Sequence, residues 1–160
     1  MIQVAVERRR AVRVLLLDAA DRILLLHGFD PAVPGVTWWI TPGGGMEAGE
    51  DAVAAARREL AEETGLTGVE IGPLVAYGMT AFSFRGQEFE QEQWFHLART
   101  VRTDVEPTGG GADEHAVLTA ARWWTVDDLR TTGETVYPAG LADLVERLLS
   151  GGPPVPPVTL

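Results

Sequence analysis

The segment GGMEAGEDAVAAARRELAEETGL, Gly44 to Leu66, decides how this chain is read. It opens on glycines, runs through Ala, Glu, Arg and Leu, and stops at Gly65. Alanine and glutamate favour helix. Glu50 and Asp51 suit a first turn, where the helix dipole favours negative charge, and Gly65 supplies the stop. The spacing predicts a helix from about Glu50 to Thr64. Val53, Ala56 and Leu60 recur at helical spacing and make an apolar stripe. Glu59, Glu62 and Glu63 stand three and four residues apart, roughly a quarter-turn from that stripe. The helix can bury one side and line a cleft with three carboxylates.

Like charges so spaced repel and cost helix stability, so something must compensate. Arg58 reaches Glu62 at i+4 and can orient it. A hard cation such as Mg²⁺ takes oxygen ligands, commonly one or two carboxylates plus substrate phosphates. Ala52 and Ala55 lie on nearly the acidic face and leave room for a phosphate. Gly43–Gly45 and the helix N-terminus offer it backbone N–H groups. The competing reading of a Glu-rich helix is a solvated face held by i,i+4 pairs.

Outward from this segment the chain reads as strands, then a final helix. Residues 11–17 and 22–27 are runs of strand formers around a turn signal at 18–21, which predicts a β-hairpin. Residues 28–35 read as a loop, and Thr37–Thr41 as a short strand ending at Pro42. Residues 69–84 and 88–98 read as an antiparallel pair turning at Arg85-Gly86-Gln87. Residues 102–115 read as a loop, and 121–125 as a short strand. Thr125, with Asp128 three residues on, caps a short helix. Leu141, Leu144, Val145, Leu148 and Leu149 mark a last amphipathic helix. The expected organisation is one domain over residues 1–150, then an irregular Pro-rich tail over 151–160.

A chain of 160 residues, 46% hydrophobic and 22% charged, matches one soluble globular domain with a real core. No apolar run is long enough to span a bilayer, and the N-terminus lacks the order of a signal peptide. There is no cysteine, so disulfides and thiolate metal sites are excluded, and the expected location is cytoplasmic. The net charge of −10 argues against a long nucleic-acid partner. It permits a small phosphate substrate, because bound divalent metal inverts the local sign.

The segment resembles the Nudix box, Gly-x5-Glu-x7-Arg-Glu-U-x-Glu-Glu-x-Gly-U with U aliphatic. Gly44, Glu50, Arg58, Glu59, Leu60, Glu62, Glu63, Gly65 and Leu66 fill every specified position. The lead-in WWITPGGG, the preceding hairpin and the later RWWTVDDL are also similar to the family, so the resemblance covers most of the chain. It implies an α+β Nudix fold: an α/β/α sandwich with a mixed sheet and the box as loop–helix–loop. The activity it implies is MutT-like hydrolysis of a phosphoanhydride in a nucleoside diphosphate linked to another group. The implied cofactor is Mg²⁺ or Mn²⁺, held by Glu59, Glu62, Glu63 and the Gly43 carbonyl. Glu50 and Arg58 would hold the box in shape, and Gly44 and Gly65 would be backbone requirements. The general base would be Glu59 or Glu62, or a later-loop acid, for which Asp113 and Glu114 are the candidates. Many relatives are dimers, so a homodimer stays open. The alternatives are a nucleotide-sensing module without turnover and a prenyl-diphosphate isomerase, the latter weakened by the absence of Cys.

Trp38 and Trp39 are adjacent on a strand and point to opposite faces. One is expected in the core; the other could stack on a nucleobase. Trp123 and Trp124 repeat the arrangement. His27, His96 and His115 receive no role. Glu88, Glu90 and Glu92 share a strand face, either as an extra metal or substrate contact or as a wet edge.

Overall fold

The computed structural model describes residues 5–107 and 117–160. The strands are β1 (Val6–Leu17), β2 (Ile23–Phe29), β3 (Thr37–Ile40), β4 (Gly43–Gly45), β5 (Ile71–Phe84), β6 (Gln87–Arg99), β7 (Val117–Trp124), β8 (Val136–Tyr137) and β9 (Val158–Thr159). The helices are α1 (Ala52–Thr64), α2 (Val126–Thr131) and α3 (Leu141–Gly151). All strands belong to one mixed sheet ordered β8-β3-β2-β1-β6-β5-β9, with β4 also on β1 and β7 also on β2.

The apolar runs of β1 and β2 are buried on both faces, which is why they read as continuous rather than alternating. On one face Val12, Val14, Leu16 and Leu24 pack under Ala55, Ala56 and Leu60 of α1. On the other, Leu15, Leu17, Ile23 and Leu25 pack under Leu141, Leu144, Val145 and Leu148 of α3. Each such leucine contributes about 2 kcal/mol by leaving water. This is the expected α/β/α sandwich.

The expected hairpin forms only at its turn. Leu17 pairs with Ile23, and Asp18 accepts hydrogen bonds from the backbone of Ala20 and Arg22. The strands then diverge, because β4 and Pro42 take the β2-side edge of β1 from Ala11 to Val14, while its other edge runs parallel to β6 along its whole length, from Val6 beside Glu88 to Leu17 beside Arg99. That pairing also extends β1 back to Val6, where Arg8 meets Glu90 at 3.2 Å and Arg10 meets Glu92 at 3.7 Å. Glu90 and Glu92 are thereby cross-strand partners of arginines.

The tail differs from expectation as well. Val158 and Thr159 pair in parallel with Ala76 and Tyr77, and Val158 packs against the α3-side core. Around α2 the anticipated capping box is present, with Thr125 Oγ1 accepting from Asp128 N at 3.0 Å and Asp128 Oδ2 accepting from Thr125 N at 3.0 Å.

Candidate active site

Helix α1 starts two residues later than its composition implies. Asp51 is the N-cap and accepts from Ala54 N at 2.8 Å. Glu50 lies outside the helix, where its carboxylate accepts from Glu47 N at 3.0 Å and closes the preceding loop. The helix ends at Gly65, whose φ of 77° is the left-handed cap.

Between α1 and β1 runs β4, three glycines paired with Ala11, Val12 and Arg13. Glycine is required here by space. A Cβ on Gly43 would run into the Val12 carbonyl oxygen, and one on Gly44 would come within 2.6 Å of Glu59 Oε1. The Glu59 carboxylate therefore rests against Gly44. One turn later Glu63 Oε1 accepts the Gly43 N–H at 2.7 Å. Glu59 and Glu63 are 6% and 9% exposed, so two carboxylates are buried against one glycine strand.

Arg58 ties the box together. It donates to both oxygens of Glu50 at 2.8 and 2.9 Å, to the Gly45 carbonyl at 2.9 Å and to Glu59 Oε1 at 2.9 Å. Its contact with Glu62 is longer, 3.4 Å, so its main grip is on Glu50 rather than on the i+4 acid. Hydrogen bonding to Arg58 holds the Glu50 carboxyl below its ordinary range.

Burial pushes the Glu59 carboxyl up, against the pull of Arg58. Burial, with the charge of Glu59 adding to it, pushes Glu63 up to about 8. A carboxyl so raised binds a proton in the folded chain that the unfolded chain has released. Stability of the metal-free protein should therefore fall as pH rises from about 4.5 to about 8, then level. The scale is about 1.4 kcal/mol per pKa unit. Urea midpoints in chelator at several pH values check this; midpoints that climb through the window would contradict it.

The three box acids do not meet at one point. Glu59 and Glu63 share the glycine strand, whereas the Glu62 side chain is 39% exposed and leans on Arg58. Among the described residues no three acidic or histidine side chains stand close enough together to enclose an ion. Ala55 is fully buried, so it does not line a phosphate cleft as the sequence implied, and Ala52 is half-buried against the same α1-side core. The Gly43 N–H meant for a phosphate is taken by Glu63.

Trp39 is core, against His27 at 4.8 Å and Trp124 at 5.2 Å on the α3 side. That removes it as a substrate contact. Trp38, one residue earlier, points to the α1 side and is half-buried. Asp113 and Glu114 lie outside the described residues. A groove of about 480 Å³ between α2 and α3 lies off the box, and its cation, Arg130, already pairs with Asp143 and Glu146.

A model of the NUDIX domain matches residues 7–145, most of the chain. The chain belongs to the Nudix family. This Nudix protein is 35% identical over 146 residues to an RNA pyrophosphohydrolase of Caulobacter vibrioides, covering 82% of this chain and 78% of that one. Over 62 residues it is 45% identical to an RNA pyrophosphohydrolase of Dinoroseobacter shibae, covering 39% of this chain and 37% of that one. Among solved structures it is similar to a MutT protein from Methanosarcina mazei, with a TM-score of 0.63, 19% identity and coverage of 91% and 95%. The E. coli dihydroneopterin triphosphate pyrophosphohydrolase gives 0.64, 15% identity and coverage of 91% and 97%. At these identities the structural likeness concerns the fold. Family and relatives together make this Nudix chain a pyrophosphohydrolase, cutting a phosphoanhydride bond in a nucleotide-linked substrate. Nudix hydrolases generally need a divalent metal.

Sequence reasoning missed Arg9 and Arg13 of this Nudix domain. The Arg13 guanidinium donates to the carbonyls of Thr41 and Gly43, each at 3.2 Å, and to Gln93 Oε1 at 3.3 Å. Arg9 lies over the Phe89 ring at 5.7 Å and against Gly45. For Arg13 the available signal was a lone charge inside the apolar run AVRVLLL. No helix is long and apolar enough to cross a membrane, among the described residues.

Proposed function

We propose that the chain hydrolyses a nucleoside 5′-triphosphate end with Mg²⁺ or Mn²⁺, with Glu59, Glu63 and the Gly43 carbonyl as direct ligands and Glu62, which stands apart from them, reaching the metal through water. The observation that carries this reading is the burial of Glu59 and Glu63 against Gly43 and Gly44. All the donors are oxygens, as a hard divalent cation prefers. A cation there would offset the burial that disfavours both carboxylate charges.

When bound, the metal supplies charge neutralisation at the phosphoryl oxygens and lowers the pKa of water. The chain's own residues do the rest. Arg58 holds Glu59 and the Glu50 loop in place. The proton of the attacking water passes to a carboxylate within hydrogen-bond reach, for which Glu59 and Glu62 are the box candidates. Water attacks phosphorus, the anhydride oxygen leaves with the departing phosphate, and the proton passes to the carboxylate.

The similar RNA pyrophosphohydrolases favour RNA as one form of the substrate, and a triphosphate on RNA stands at its 5′ end. The net charge of −10 weighs against long backbone contact, but cleavage at a 5′ end needs only the terminal phosphates to enter the site. A nucleotide substrate implies a cytoplasmic site of action. Homodimer formation belongs with the same proposal and is read from elution volume and light scattering.

The test is a Mg²⁺ assay over nucleoside triphosphates, ADP-ribose, dinucleoside polyphosphates and a 5′-triphosphate oligoribonucleotide, in ¹⁸O-water. Label in the released phosphate or diphosphate, or in the nucleotide product, shows which phosphorus was attacked. Fast turnover of ADP-ribose with none of the triphosphates would overturn the substrate assignment. Ligand-induced thermal shifts without turnover of anything would favour a nucleotide-sensing module.

A further inference from the structure

We propose that Arg13 is a built-in competitor for the divalent ion. Its guanidinium holds the Gly43 carbonyl oxygen in the free enzyme and so sets a threshold for metal binding. This rests on the reading that the ion binds at Gly43 and the box acids.

Arg13 is the one charge in a stretch of β1 whose other members, Ala11, Val12 and Val14 to Leu17, are fully buried. A guanidinium in such a place must satisfy its donors locally. It does so on three neutral oxygens: the carbonyls of Thr41 and Gly43 and the Gln93 amide. Its anchors lie on two different strands, β4 with its lead-in and β6, so it is held rather than trailing into solvent.

Gly43 is contacted from both sides. Its N–H goes to Glu63 on α1, and its carbonyl goes to Arg13 on β1. An ion that took the Gly43 carbonyl would share that oxygen with the N–H of a fixed positive charge. The charges of Glu63 and Glu59 are near enough to act on Arg13, which means that Arg13 acts on the same acids that the ion would use. One positive and one doubly positive charge about 5 Å apart repel enough, even in well-solvated surroundings, to weaken ion binding about tenfold.

The test is Mn²⁺ alone, titrated into chelator-free protein by electron paramagnetic resonance, at a fixed mildly alkaline pH. Arg13→Gln and Arg13→Met should bind Mn²⁺ about tenfold tighter than the parent chain. Arg13→Lys keeps the charge and should stay within about twofold of the parent. A residue that merely braced the Gly43 loop would give the opposite order, weaker binding in every variant. Equal or weaker binding in both neutral variants overturns the proposal. Should those variants fail to fold, the parent chain decides: Mg²⁺ should speed hydrogen exchange at the Arg13 guanidinium, whose bond to the Gly43 carbonyl the ion weakens, and unchanged exchange counts against the idea. Glu63→Gln is the control for the site itself. If it binds Mn²⁺ as the parent does, the metal reading falls, whatever Arg13 does.

Discussion

Glu63→Gln is expected to lower metal-dependent turnover by about a thousandfold or more while leaving the fold intact. The amide oxygen can still accept the Gly43 N–H, which Glu63 Oε1 accepts at 2.7 Å, so the local hydrogen bond survives. What disappears is a negative oxygen buried beside Glu59. The same exchange should stabilise the metal-free protein at alkaline pH. There the parent chain must carry a buried carboxylate whose pKa stands at about 8, and the variant carries none. Below about pH 4.5 both side chains are neutral and the difference should vanish. Activity assays and urea unfolding, with chelator and with Mg²⁺, check all of this. Mg²⁺ should raise the parent's midpoint and leave the variant's unmoved. Residual turnover near the parent level would remove Glu63 from the site.

Gly43→Ala is expected to cost about 3–5 kcal/mol of stability, lowering Tm by about 10 °C or more. Gly43 sits at φ 146°, a conformation side chains rarely take, and its missing Cβ is replaced by the backbone of the neighbouring strand. The obstructing atoms are the Val12 carbonyl and Arg13 Cα, which cannot rotate aside as a side-chain tip can. Relief requires β4 to part from β1, which would also carry the Gly43 N–H away from Glu63. Gly35→Ala is the matched control, since nothing lies within 4 Å of an added Cβ there. It should stay within about 0.5 kcal/mol of the parent. Thermal unfolding of the two variants side by side decides the point.

What the sequence disclosed was local. The box helix, its Gly65 stop and the Thr125–Asp128 capping box each depend on residues within a few positions, so spacing alone reveals them. The long β5–β6 hairpin was visible for the same reason. What escaped depends on partners far along the chain. Three glycines carry no strand signature, and Gly43–Gly45 becomes one only because β1 lies alongside. Ala55 reads as small and accommodating, yet the depth of the α1 packing puts it in the core. Arg13 reads as an interruption in an apolar run, and its use appears only when Thr41, Gly43 and Gln93 are brought around it.

The parallel pairing of β1 with β6 joins residues 6–17 to residues 88–99. A ribosome delivers the glutamates well before the strand that will flank β1. Contacts of such long sequence separation close slowly, since loop entropy is lost before they form. The motif is continuous on the ribbon of the gene, but the sheet that seats it is expected to close late, once its distant half has been synthesised.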